Sequence, residues 1–201
     1  NDLGFYKFKE VNHEGIPMVI ARMGYSRELC YEIFLQDHSK GDELWEILWQ
    51  AGQDLNISPG SPNIILRLEG GILSYLADID RTNNPYEVGL ERMIDLDQED
   101  DFIGKEALRE ISLKGPAKKL MGAEIQGDPI KVFNEEHWPV SINGKTVGSM
   151  NALAYSPRLD KNICYTILNI EHAKSGQEII ISSPEKELIA TTVDLPWLER
   201  A

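Results

Sequence analysis

Residues 139–150 read PVSINGKTVGSM, and the pair Asn143-Gly144 at their centre decides how the second half of the chain folds. A tight two-residue hairpin loop needs positive φ at both positions, which asparagine and glycine accept at little cost. The flanking PVSI and KTVGSM read as strands, so the stretch predicts an antiparallel hairpin. Four more short strand-like runs surround it: LMGAEI (120–125), NICYTIL (162–168), EIIIS (178–182) and ELIATTV (187–193). Short strands separated by turn residues make a small barrel or a sandwich.

Upstream the texture is mixed. KFKE (7–10) and IPMVIAR (16–22) read as strands, GYSREL (24–29) as a turn, and CYEIFL (30–35) as an antiparallel partner. Leu44, Ile47, Leu48, Ala51 and Leu55 recur at helical spacing, with Asp42 and Glu43 suited to the positive end of that helix. Ser61-Pro62 supplies an N-cap and a first-turn proline for a second helix, which Gly70-Gly71 weakens or ends. FIGKEALREI (102–111) forms a third, and KGPAKK (114–119) is the best linker. The chain is therefore α+β followed by all-β, with a boundary near 114–119.

The chain has 201 residues, enough for one large or two small domains, and its hydrophobic content of 42% is that of a globular protein. A net charge of −13 argues against nucleic acid and anionic membrane as partners. No apolar run reaches the ~18 residues that span a bilayer. Cys30 and Cys164 lack metal-ligand spacing and read as reduced core residues of a cytoplasmic chain. The four histidines are scattered in polar segments and read as surface residues. The acidic run 95–106 places Asp95, Asp97, Glu99 and Glu106 on a calcium-loop template, but Asp100 stands where glycine is required, so a solvated loop is the better account. No metal site is expected. The chain opens at Asn1 with a strand-like stretch close behind, which raises the expectation of a piece of a longer protein.

Two stretches carry chemistry. On a strand over 30–35, Glu32 shares a face with Cys30 and Phe34, while Tyr31, Ile33 and Leu35 look inward or into a second layer. A carboxylate so placed either faces water from an edge strand or accepts paired N–H donors from a flat heterocycle such as a pterin or guanine. In the second stretch, Arg67 and Glu69 form either a local ion pair or a clamp on a neighbouring domain.

The ordered strings GYS with YEIFL, RLEGGILSY (67–75), NPYEVGL (84–90), FIGKEAL (102–108) and GKTVG with YSPRLDKNI resemble the glycine-cleavage T-protein family. That family comprises tetrahydrofolate-dependent one-carbon transferases, and the resemblance covers about the C-terminal half of a member. It implies a partial folate-binding α/β module over 1–115 and a C-terminal β-barrel over 116–201. Glu32 matches the family acid that binds the pterin, and Met23, Tyr25, Phe34 and Arg67 join it as candidate cofactor-binding residues. The family's catalytic aspartate lies in the N-terminal half, so no residue here inherits that role, and the partner implied is the missing half of the same enzyme.

Three departures place the branch. Ser26-Arg27-Glu28 stands where the family has TGE, Asn63 replaces an arginine, and Asn151-Ala152 replaces TS. With GYSR, SPNIILRLEGGILSY and RTNNPYEVGL, the chain looks most like the dimethylsulfoniopropionate demethylases, which pass a methyl group from a sulfonium to tetrahydrofolate. In that branch aromatic residues at the positions of Tyr25 and Phe34 lie near the substrate, where aromatic faces attract a cation. The alternatives are an aminomethyltransferase of the glycine cleavage system and a non-enzymatic folate-binding relative. The latter group's KGCYxGQE motif is not found here.

Overall fold

In the computed structural model, residues 3–198 are described apart from Arg27 and Pro62. The described residues divide into two units, one ending at Leu66 and the other spanning Arg67–Leu198.

In the first unit, β1 (Phe8–His13), β2 (Ile16–Ala21) and β3 (Glu32–Leu35) form an antiparallel sheet in that order. Glu14 and Gly15 turn β1 into β2 with φ of 53° and 86°, the geometry a two-residue hairpin loop demands. The central strand β2 carries the buried side chains Ile16, Met18 and Ala21. β3 is an edge strand and begins at Glu32, two residues later than the sequence suggested. The expected inward face is not buried: Tyr31 is 40% exposed and Ile33 36%. Leu35, on the same face, is partly buried beside Gly41, so the face is covered at that end of the strand only.

Helix α1 (Gly41–Gly52) follows the tight turn His38–Lys40, which Asp37 opens by accepting from Ser39 N (3.0 Å) and Ser39 Oγ (2.7 Å). Gly52 closes the helix against Ile57, where any Cβ would come within 2.6 Å of that side chain. Helix α2 (Ile64–Glu69) starts later than Ser61-Pro62 implied. The capping oxygen is Asn63 Oδ1, which accepts from Ile65 N (2.9 Å) and Leu66 N (3.3 Å). Pro62 lies outside the described residues.

In the second unit a third helix, α3 (Lys105–Lys114), precedes six strands: β4 (Lys118–Ile125), β5 (Trp138–Ile142), β6 (Lys145–Ser156), β7 (Lys161–Asn169), β8 (Glu178–Ser182) and β9 (Glu187–Val193). All pair antiparallel and close into a barrel in the order β4-β7-β6-β5-β8-β9, which decides between barrel and sandwich. Asn143 and Gly144 turn β5 into β6 with φ of 49° and 73°. Met121, Val140, Met150, Leu153, Cys164 and Leu168 belong to the barrel core. Burial pushes the Cys164 thiol well above its ordinary pKa, which makes it an inert core residue. Strand β6 runs six residues beyond KTVGSM, with a register shift between Met150 and Leu153. Among the described residues no helix is long and apolar enough to cross a membrane.

Candidate functional site

The first unit presents Glu32 at the start of β3, opposite Ala21 in the ladder, with Phe34 opposite Val19 on the same face. Glu32 is half-buried, and no described side chain or backbone group donates to its carboxylate. A half-buried carboxylate keeps up to four lone-pair sites, so this one has acceptor capacity to spare. The loop before the strand folds back on itself at Gly24, where an added Cβ would lie 2.4 Å from the Cys30 Cβ. Ser26 Oγ lies 3.4 Å from Cys30 Sγ and accepts from Glu28 N across the same loop. That closure puts Met23 and Tyr25 on one arm of the loop and Tyr31 and Glu32 on the other. Met23 is 37% exposed, Tyr25 41% and Phe34 52%, three large apolar side chains open to solvent. Arg27 lies outside the described residues.

Arg67 belongs to the second unit, where it is buried, and its partner is not Glu69. Residues two apart on a helix do not face each other. Instead Arg67 Nη1 donates to Asp78 Oδ2 and to the Ile72 carbonyl (3.1 Å), and the guanidinium lies 5.9 Å from the centre of the Tyr165 ring. Asp78 is also fully buried and accepts from Ser74 N at 2.6 Å. Burial pushes the Asp78 carboxyl above its ordinary pKa, and the Ser74 N–H and the Arg67 cation only partly offset it. Glu69, buried in turn, accepts from Ser156 Oγ and has Arg158 Nε at 3.7 Å. Tyr165 Oη lies within hydrogen-bond reach of the carbonyls of Arg67 (3.3 Å), Leu68 (3.1 Å) and Ile72 (3.3 Å). A hydroxyl has one proton, so these acceptors at the end of α2 share it. Asn151 Nδ2 donates to the Asp78 carbonyl, and His137 Nε2 lies 3.0 Å from the Ala77 carbonyl.

The sequence did not single out Asp78 or Tyr165. Nothing in YLADID or NICYTI separates a buried acid or a carbonyl-binding tyrosine from ordinary turn and strand residues. A further groove of about 360 Å³ at the barrel surface includes Glu124, Tyr155, Asp160, Lys161 and Asn162 in its lining. Its polar groups are paired with one another: Lys161 donates to Glu124, and the Tyr155 hydroxyl donates to Asp160.

Residues 1–98 match the GCVT N-terminal domain, and residues 118–199 match the glycine cleavage T-protein C-terminal barrel domain. Dimethylsulfoniopropionate demethylase DmdA of Ruegeria pomeroyi is 33% identical over 184 residues, 92% of this chain and 50% of that protein. An aminomethyltransferase of Halothermothrix orenii is 32% identical over 200 residues, 98% of this chain and 55% of that one. The crystal structure of glycine cleavage system aminomethyltransferase T from Bartonella henselae superposes with a TM-score of 0.80 at 21% identity, covering 100% of this chain and 54% of that one. That likeness supports the fold. The chain spans about half the length of the curated relatives it matches.

Proposed function

We propose that this chain, which belongs to the glycine cleavage T-protein family, is part of a tetrahydrofolate-dependent one-carbon transferase that takes a methyl group from a sulfonium such as dimethylsulfoniopropionate. One observation carries the reading: a half-buried Glu32 with free acceptor capacity, on the same strand face as the exposed Phe34 ring. The pterin ring of a folate offers an amino group and a ring N–H in one plane, and a single carboxylate accepts from both.

Glu32 anchors the pterin, with Met23 beside it. Tyr25 and Phe34 provide π-faces for the cationic donor, each worth about 0.5–2 kcal/mol when partly desolvated. The chemistry is an in-line displacement: the N5 lone pair attacks the methyl carbon, and the N5–CH₃ bond forms as the S–CH₃ bond breaks. The sulfonium leaves as a neutral sulfide, and the proton on N5 is released. What the chain contributes is position, because holding donor and acceptor in line supplies much of the rate. The general acid–base group is assigned to no residue of this chain and lies in the other half of the enzyme, which we place in the cytoplasm. Residues 1–115 form the folate-module portion, and 116–201 the barrel domain.

Identities of 32% to aminomethyltransferases support a second reading, transfer of an aminomethyl group. The replacement of TGE by Ser26-Arg27-Glu28 favours the first. Isothermal calorimetry with tetrahydrofolate tests the anchor. Micromolar binding that survives Glu32→Ala removes Glu32 from the site.

A further inference from the structure

Arg67 is nearly sealed from water, with its side chain 1% exposed, yet its hydrogen bonding is lopsided. Nη1 is used twice, on Asp78 Oδ2 and the Ile72 carbonyl. Nη2 is buried and has no hydrogen-bond partner among the described residues. The opposite charge that faces it is Glu135 Oε1 at 3.9 Å, near enough for Coulomb attraction and too far for a hydrogen bond. Glu135 stands in the irregular segment between β4 and β5, and its side chain is 49% exposed.

Folded proteins rarely leave a buried guanidinium N–H unsatisfied, and such an atom calls for an explanation. The arrangement here has a direction. Asp78 and the Tyr165 ring fix the plane of the guanidinium, and a half-exposed surface carboxylate lies across its remaining edge. We propose that Arg67 and Glu135 form a closed carboxylate-binding site: Asp78 positions the guanidinium, and a ligand carboxylate displaces Glu135 from the Nη2 edge. A carboxylate in hydrogen-bond contact gains charge-assisted bonds of 2.7–2.9 Å that Glu135 does not make. Displacing Glu135 costs little, because a half-exposed ion pair is weakly bound.

The identity of the ligand rests on the folate-transferase reading. Under it two compounds bring carboxylates, tetrahydrofolate through its glutamyl tail and dimethylsulfoniopropionate through its propionate. The test uses the full-length protein with each compound and a counterpart without the carboxylate, tetrahydropteroate and trimethylsulfonium. Arg67→Lys keeps the positive charge for Asp78 and loses the planar edge. It raises KM by about 10-fold for whichever compound delivers its carboxylate, leaves the counterpart unchanged, and holds kcat within about 2-fold. Glu135→Gln removes the competing charge and lowers the same KM. Asp78→Asn raises it, as expected of a positioning residue. The compound affected identifies the source.

Equal changes for both members of both pairs overturn the site, since a purely structural role does not distinguish them. If Arg67→Lys fails to fold, the surface change Glu135→Gln carries the test alone, and an unaltered KM for both compounds overturns the proposal. Should the wild type neither bind tetrahydrofolate nor transfer a methyl group, the folate reading has failed and propionate becomes the probe. A shift of the Arg67 guanidinium resonances on titration, larger in Glu135→Gln, then supports the site. No shift in either protein removes it.

Discussion

Glu32 sits half-buried on an edge strand with lone pairs that no described neighbour uses. If it anchors a pterin, Glu32→Ala costs about 2–3 kcal/mol, roughly 30- to 150-fold in tetrahydrofolate affinity by calorimetry, with little change in thermal stability. Leu76 makes a prediction of a different kind. It is 75% exposed and holds φ of 74°, where a branched side chain crowds its own backbone. Leu76→Gly relieves that strain and forfeits little burial, so it raises stability by about 1 kcal/mol or less in denaturant melts. Asp78 predicts a pH dependence. Burial raises its folded-state pKa above 3.8, so the folded chain holds the proton more tightly than the unfolded one. The stability it confers is full below pH about 3.8 and is lost as pH rises through the folded value. Wild type therefore loses stability relative to Asp78→Asn as pH rises across that window, which paired thermal melts resolve.

At the scale of elements, the β6–β7 pairing is set by close approach. A Cβ on Gly148 would lie 2.1 Å from the Ile167 carbonyl oxygen and 2.9 Å from the Leu168 Cα, both backbone atoms. Gly148→Ala therefore destabilises the barrel by about 3 kcal/mol or more, a loss visible as a lowered denaturation midpoint. What the sequence revealed about elements follows from how local the cause is. Asn143-Gly144 announced its hairpin because both residues are chosen for their own φ. The start of α2 was less legible, since Ser61 and Asn63 are both competent caps and only the fold shows Asn63 Oδ1 taking the bonds. The extension of β6 through Asn151–Ser156 was hidden because most of those side chains are buried, which erases the alternation that marks a strand. Arg67 and Asp78 meet across an 11-residue separation through a turn, and no periodicity connects them.

At the scale of the whole chain, motif order was more telling than any single motif. Five short strings in sequence pointed to the family, and the matches over 1–98 and 118–199 bear that out. The same strings say less about the donor, because relatives named as a demethylase and as aminomethyltransferases stand at 33% and 32% identity. The likeness to a solved aminomethyltransferase, at 21% identity, supports the fold and does not choose the donor. The direct measurement is single-turnover transfer by the full-length protein, with tetrahydrofolate as acceptor and either dimethylsulfoniopropionate or an aminomethyl-lipoyl carrier as donor. The account predicts one 5-methyltetrahydrofolate formed per sulfonium demethylated, with transfer strongly reduced in Glu32→Ala. Transfer from the aminomethyl donor alone, or methyl transfer indifferent to Glu32→Ala, would contradict it.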